Sequence, residues 1–328
     1  MDNSSVNKIL IIRLSSLGDI LLTSPVLKAI KKKYPSARID FVVKKDFEDA
    51  ILFNPNLTRI YAYNKNETER LITELHSRNY DLIIDLQNNF RSRALTRSLN
   101  VKTKRFKKPT IKKMLLVWFK INLLRELKTI TQRYAEAANV LLDDEGLNLF
   151  LPDNILPTLD PQKKNIGFCP GAKHFTKRWL PEYFVELGNE LAKFGYTVVL
   201  FGGKTEEELC AELANKINGS MNLQTGNNLF QIAADMKLCK MIVTNDSGLM
   251  HTAAAVGIPV TVIFGSTVRE FGFAPYGVKN LILENKSLSC RPCSHIGKSS
   301  CPKGHFNCMK EIKPQFVLNN VEKFLAEL

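Results

Sequence analysis

The chain is 328 residues long, with 45% hydrophobic and 24% charged residues and a net charge of +14. This composition fits a globular protein of two domains rather than a disordered or fibrous chain. Its longer apolar runs, such as residues 114–119 and 258–264, fall well short of the roughly 20 residues that span a bilayer.

The first eight residues are short and polar, and Arg13 interrupts the apolar run that follows, so no signal peptide is expected and the protein is expected in the cytoplasm. Residues 8–12 form a short apolar run suited to a buried parallel strand, followed by a Ser/Gly/Asp turn and a helical pattern over 20–33. Strands are predicted at 39–43 and 82–86, with a helix over 67–78 before the second.

From Leu86 to Arg133 there are 14 lysines and arginines against one acid, Glu126, so +13 of the +14 lies in that tract. Within it, residues 110–127 set Ile111, Met114, Leu115, Trp118, Phe119, Leu123 and Leu124 among lysines. Such a tract suits a polyanion or an anionic membrane surface. A core-facing helix with a solvated basic face is the alternative reading.

Residues 150–162 contain Pro152, Pro157 and Pro161 with little periodicity, which reads as an interdomain linker. Alternation then resumes, with strands predicted at 165–169, 197–201, 241–244 and 259–264 and helices at 181–194, 206–217 and 247–256. Two successive βα series predict an α/β protein of two Rossmann-like, doubly wound domains, residues 1–155 and 163–328. The second carries a cysteine-rich tract at 290–308 and a C-terminal helix.

In doubly wound sheets ligands sit beyond the carboxyl ends of the strands, which singles out four loops. The first, Leu14-Ser15-Ser16-Leu17-Gly18-Asp19, offers a tight turn and side-chain acceptors; Asp19 also suits a plain helix N-cap. The second, residues 170–179, gathers Lys173, Lys177 and Arg178 between Gly171 and Trp179, as a diphosphate site would; an exposed basic loop is the alternative. The third, residues 201–208, follows a strand with two glycines and then Glu206, Glu207 and Glu208, which either complement the helix dipole or bind sugar hydroxyls. The fourth, residues 244–255, opens a helix with Asn245-Asp246-Ser247-Gly248, whose free backbone N–H groups make an anion site. His251, one turn into that helix, suits either a structural or a ligand-facing role.

Taken in order, S-S-L-G-D at 15–19, G-A-x4-K-R-W at 171–179, F-G-G-x2-E at 201–206 and N-D-S-G-x2-H at 245–251 resemble glycosyltransferase family 9, the ADP-heptose:lipopolysaccharide heptosyltransferases, over nearly the whole chain. The resemblance implies a GT-B fold, with two Rossmann-like domains facing across a cleft. The N-terminal domain would take the acceptor and the C-terminal domain the nucleotide sugar. It further implies inverting transfer of heptose from ADP-heptose to the lipopolysaccharide inner core, lipid A–Kdo or its heptosylated form, with no cofactor and no catalytic metal. Asp19 corresponds to the general base. Lys177, Glu206, Asp246, Ser247, Gly248 and His251 correspond to donor-binding positions, with Ala172 and Lys173 aligned less securely and Glu207 an alternative to Glu206. Ser15, Ser16 and Gly18, with Lys104, Arg105, Lys107, Lys108, Lys112 and Lys113 of the basic tract, are expected to meet the anionic glycolipid acceptor. The enzyme is accordingly expected to lie peripherally at the cytoplasmic face of the inner membrane. Where some family members have threonines, this chain has Ala172 and Lys173, which leaves the donor sugar open.

Cys290, Cys293, Cys301 and Cys308 are spaced C-x2-C-x7-C-x6-C, a spacing compatible with a structural zinc or with a metal-free local clip. Two other functional classes remain open. A GT-B sugar-nucleotide epimerase would use a similar donor pocket, although the basic tract argues against it. A non-catalytic polyanion-binding protein would use the charge alone, but no nucleic-acid-binding motif accompanies that charge.

Overall fold

The computed structural model describes residues 6–124, 128–143, 145–224 and 228–328. Arg125 and Glu126 of the basic tract lie outside them. The chain divides into two compact units, Met1–Pro109 with Lys128–Phe150, and Thr110–Leu127 with Leu151–Leu328.

The first unit is built on five parallel strands: β1 (Lys8–Ile12), β2 (Arg38–Lys44), β3 (Arg59–Tyr63), β4 (Leu82–Asp85) and β5 (Thr103–Arg105), in spatial order β3-β2-β1-β4-β5. The central strands are buried on both faces, as parallel strands under crossover helices must be. Leu10, Ile12, Val42 and Ile83 pack with Leu71, Leu75 and Leu95 from the helices on one side. The expected helix over 20–33 is two helices, Leu17–Leu21 and Ser24–Lys33. Pro25 has no N–H to continue the first, and Thr23 Oγ1 and Ser24 Oγ instead donate to the Ile20 and Leu21 carbonyls at 2.6 and 2.8 Å.

The second unit holds six parallel strands: β6 (Asn165–Cys169), β7 (Thr197–Leu200), β8 (Met221–Asn222), β9 (Cys239–Asn245), β10 (Val260–Phe264) and β11 (Asn280–Glu284), in order β11-β10-β9-β6-β7-β8. Apolar clusters cover both faces, one around Phe168, Trp179, Phe184 and Val317 and the other around Phe201, Met250 and Val262. The C-terminal helix is Pro314–Ala326.

The basic tract is shared between the units, whereas the sequence placed it within one domain. The helix Thr110–Phe119, shorter than the 110–127 pattern, belongs to the second unit because Leu116 and Leu124 pack on Phe271. Lys120 Nζ donates there to the Cys290 and Pro292 carbonyls at 3.1 and 2.8 Å. The helix Ile130–Ala138 then returns to the first unit, where Thr131 Oγ1 donates to Leu22 O at 3.2 Å. Among the described residues no helix is long and apolar enough to cross a membrane.

Candidate functional site

In the first sheet the chain winds in opposite directions from β1 and β4, so the loops after these neighbouring strands part and leave a crevice at their carboxyl ends. Asp19 stands there. It is not the N-cap; Ser16 is, and Asp19 is the third residue of the helix, where its Oδ2 accepts from Ser16 N at 3.1 Å and Ser16 Oγ at 2.8 Å. Its Oδ1 lies 2.7 Å from Arg13 Nη2, with side-chain exposures of 17% for Asp19 and 7% for Arg13, so the carboxylate is sheltered yet reachable.

Arg13 follows β1 directly. Nη1 donates to Leu86 O at 2.8 Å, and its guanidinium carbon lies 5.4 Å from the centroid of the Tyr134 ring. Burial works against the Arg13 charge, but Tyr134, Asp19 and Asp85 outweigh it and raise its pKa. Burial first, then Asp19, pushes the Tyr134 phenol well up against the pull of Arg13, so it stays protonated and donates to Asp19 Oδ1 at 3.4 Å.

The two loops are locked to each other. Buried Asp85 accepts from Gln87 N, Asn88 N and Ser92 Oγ at 3.1, 2.7 and 2.9 Å. Gln87 Oε1 in turn accepts from Leu14 N and Ser15 N at 2.9 and 3.2 Å. Ser15 therefore supports the loop through its backbone, and Gly18 is buried inside the first helix.

The second sheet repeats the arrangement, with the switch between β6 and β9. Lys177, after β6, and Asp246, after β9, form an ion pair at 2.6 Å, and Thr267 Oγ1 donates to the same Asp246 oxygen at 2.7 Å. Buried Asn245 fastens the loops: its Nδ2 donates to Pro170 O at 2.7 Å and its Oδ1 accepts from Trp179 N at 2.9 Å. Ser247 caps the helix Gly248–Ala255 from an extended backbone, so the helix N-terminus opens beside the Lys177–Asp246 pair.

Glu206 comes to the same place. A Cβ at Gly171 would meet Glu206 Cγ at 2.3 Å, so glycine is what lets the second and third loops touch. Glu206 Oε2 accepts from Gly203 N at 3.0 Å and Oε1 from Thr205 Oγ1 at 2.8 Å, while Glu207 is exposed at the start of the next helix. Ala172 is buried with its carbonyl taken by Arg178 Nε at 2.7 Å, and Lys173 is exposed. His251 is buried, its ring centroid 6.5 Å from that of Phe273.

The cysteine-rich tract braces this loop. Lys298 N donates to Thr176 Oγ1 at 2.8 Å, Thr176 N to Lys298 O at 3.1 Å, and Ser266 Oγ to Thr176 Oγ1 at 2.9 Å. Buried Arg291 donates to Gly265 O and Thr267 O at 2.6 and 2.9 Å and pairs with Glu284 at 3.0 Å. The four cysteines of the tract are free thiols; burial raises the pKa of Cys293 and takes Cys308 to about 12. Among the described residues no group of three or more His, Cys, Asp and Glu is arranged to hold a metal ion.

The basic residues do not form one patch. Lys104 Nζ donates to Ala138 O at 3.1 Å and Arg105 Nη2 to Thr96 Oγ1 at 2.9 Å, so these two serve the fold of the first unit. Lys113 lies over the Phe271 and Phe273 rings at 5.6 and 5.5 Å in the second. Lys107, Lys108 and Lys112 are exposed. Of these, Lys108 is electrostatically coupled to the Asp19 crevice: the protein around it, then Arg13, lowers its pKa, while Asp85 and Asp19 pull it back up.

Residues 68–303 match Glycosyltransferase family 9 (heptosyltransferase). The chain belongs to this family. Among curated relatives it is similar to lipopolysaccharide heptosyltransferase 2 of Salmonella typhimurium, 27% identical over 356 residues that cover 98% of this chain and 99% of that one. Among solved structures, a family 9 glycosyl transferase from Veillonella parvula superposes with a TM-score of 0.82 at 20% identity, covering 100% and 99% of the two chains. The Escherichia coli ADP-heptose lps heptosyltransferase II gives 0.75 at 23%, covering 98% and 99%. These structures share the two-sheet GT-B fold, and the family 9 chain described here is a glycosyltransferase.

Proposed function

We propose that this family 9 enzyme transfers heptose from ADP-heptose to the inner core of lipopolysaccharide, with inversion and without a metal ion, at the cytoplasmic face of the inner membrane. The observation that carries the reading is a sheltered carboxylate, Asp19, at the switch point of one sheet, matched by a cation and a helix N-terminus, Lys177 and Ser247–Gly248, at the switch point of the other. Similarity to lipopolysaccharide heptosyltransferase 2 and to ADP-heptose lps heptosyltransferase II supports these substrates.

In this reading a hydroxyl of the acceptor attacks the anomeric carbon of the donor in one displacement, which inverts that centre. Asp19 takes the hydroxyl proton as the new C–O bond forms. The bond to ADP breaks on the opposite side, and the charge growing on the diphosphate is met by Lys177 and the backbone N–H groups of the Gly248–Ala255 helix. Asp246 holds Lys177 in place rather than meeting the diphosphate, since two anions in contact repel. Glu206 receives donor hydroxyls. His251, buried under the turn, acts on the donor by supporting the helix start. Lys107, Lys108 and Lys112 attract the anionic glycolipid.

The test is release of ADP from ADP-heptose with and without a lipid A–Kdo acceptor. Release that depends on the acceptor supports the transferase. Release or isomerisation of the donor alone overturns it.

A further inference from the structure

The helix Thr110–Phe119 is mounted inside out. Ile111, Met114, Leu115 and Trp118 follow the i, i+3, i+4, i+7 spacing that normally turns a helix face toward a core. Here the buried side is the opposite one, where Leu116, with Leu124 beyond the helix, packs on Phe271 and Lys113 covers two phenylalanine rings. The apolar stripe faces solvent: Ile111 is 74% exposed and Trp118 66%, and Phe119, Ile121 and Leu123 continue it as exposed side chains. An apolar ridge of this size left in water marks a surface that something covers.

We propose that this ridge inserts into the interfacial region of an anionic lipid leaflet. It deepens the membrane-facing part of the function proposed above and rests on that reading for its setting. Charge decides the occupant. From residue 87 to 124 the chain has no acidic residue, and exposed Lys107, Lys108 and Lys112 lie in and just before the helix. A lysine-flanked helix with tryptophan and phenylalanine on its outer face is the composition that settles at the headgroup boundary, and at ten residues it lies on a bilayer rather than spans it.

The chain offers its own probe, since it has two tryptophans and Trp179 is buried in the second core. Adding vesicles of phosphatidylglycerol and phosphatidylcholine in equal parts shifts the emission of Trp118 to the blue; phosphatidylcholine vesicles alone shift it little. Ile111→Ser with Phe119→Ser lowers the vesicle-bound fraction in sedimentation by about tenfold or more, because full burial of either side chain is worth at least a tenfold change in partition. Turnover of a soluble, deacylated Kdo acceptor stays unchanged in that variant. No emission shift with the anionic vesicles overturns the insertion, and so does a shift that depends on protein concentration without vesicles, which would mean a second copy covers the ridge. Failure to turn over the soluble acceptor in the unaltered enzyme strikes the catalytic reading and leaves the vesicle result to stand or fall by itself.

Discussion

Arg13 Nη2 sits 2.7 Å from Asp19 Oδ1, six residues apart in the chain and both largely shielded from water. The pair neutralises a buried guanidinium at rest, and the proposed mechanism adds a second job for Asp19, to accept a proton during transfer. Asp19→Asn keeps the shape and removes both. Turnover is expected to fall by several orders of magnitude while ADP affinity, measured by calorimetry, stays within about twofold. The variant also folds with about 1–3 kcal/mol less stability, since Arg13 loses the carboxylate it contacts and keeps only the field of Asp85. Near-normal turnover rules out the base assignment.

Arg13→Met removes the cation next to that base. A neighbouring positive charge favours the ionised carboxylate, so its loss moves the acid limb of kcat/KM toward higher pH. Arg13→Lys keeps a charge and restores much of the profile. An acid limb that stays put in the methionine variant means that Arg13 serves only the fold.

Lys177→Ala is expected to lower kcat/KM for the donor about 10- to 100-fold, the worth of one charge-assisted hydrogen bond. His251→Ala has the smaller effect, because its ring is buried rather than presented to the diphosphate. Lys177→Ala paired with Asp246→Asn in a double-mutant cycle shows strong coupling, as the two side chains are in contact at 2.6 Å. Additive losses contradict the placement of Asp246 behind Lys177.

Burial, then Lys177, Lys173 and Arg178, lowers the pKa of His174 below its usual 6.5, and burial and Lys113 do the same to His295. The folded state therefore binds fewer protons at these rings than the unfolded chain. Stability from this source is present above the unfolded value and is lost as pH falls below about 6.5. The melting temperature should drop in that range, and less steeply in His174→Gln with His295→Gln.

Much of this was legible in the sequence. The alternation of short apolar runs and amphipathic stretches set out two doubly wound sheets, and the loops at residues 15–19, 171–179 and 245–251 fall at the two switch points because that is where strand ends diverge. What escaped was tertiary. Arg13 read as a break in an apolar run, since its partners Asp19, Leu86 and Tyr134 meet only in the fold. β5 is Thr-Lys-Arg and β8 two residues, too polar or too short to signal a strand, and the helix Phe90–Leu99 was masked by its arginines. The amphipathic pattern at 110–127 announced a helix without saying which face would be outside, because periodicity does not fix that choice.

Lys107, Lys108 and Lys112 replaced by glutamine should raise the acceptor KM, most at low ionic strength, as added salt shortens the Debye length from about 10 Å at 0.1 M to about 3 Å at 1 M. Donor KM should be spared. The same change at Lys104 and Arg105 should instead lower the melting temperature, because their side chains hold Ala138 and Thr96. Equal effects from both groups on the acceptor KM contradict this division.

The most direct test follows the anomeric carbon. Purified enzyme is incubated with ADP-heptose and a lipid A–Kdo acceptor, and the product linkage is read by NMR beside the same reaction with Asp19→Asn. Acceptor-dependent release of ADP and a heptosylated product of inverted anomeric configuration are expected, and neither with the variant. A product of retained configuration, or undiminished transfer by Asp19→Asn, contradicts the proposed mechanism.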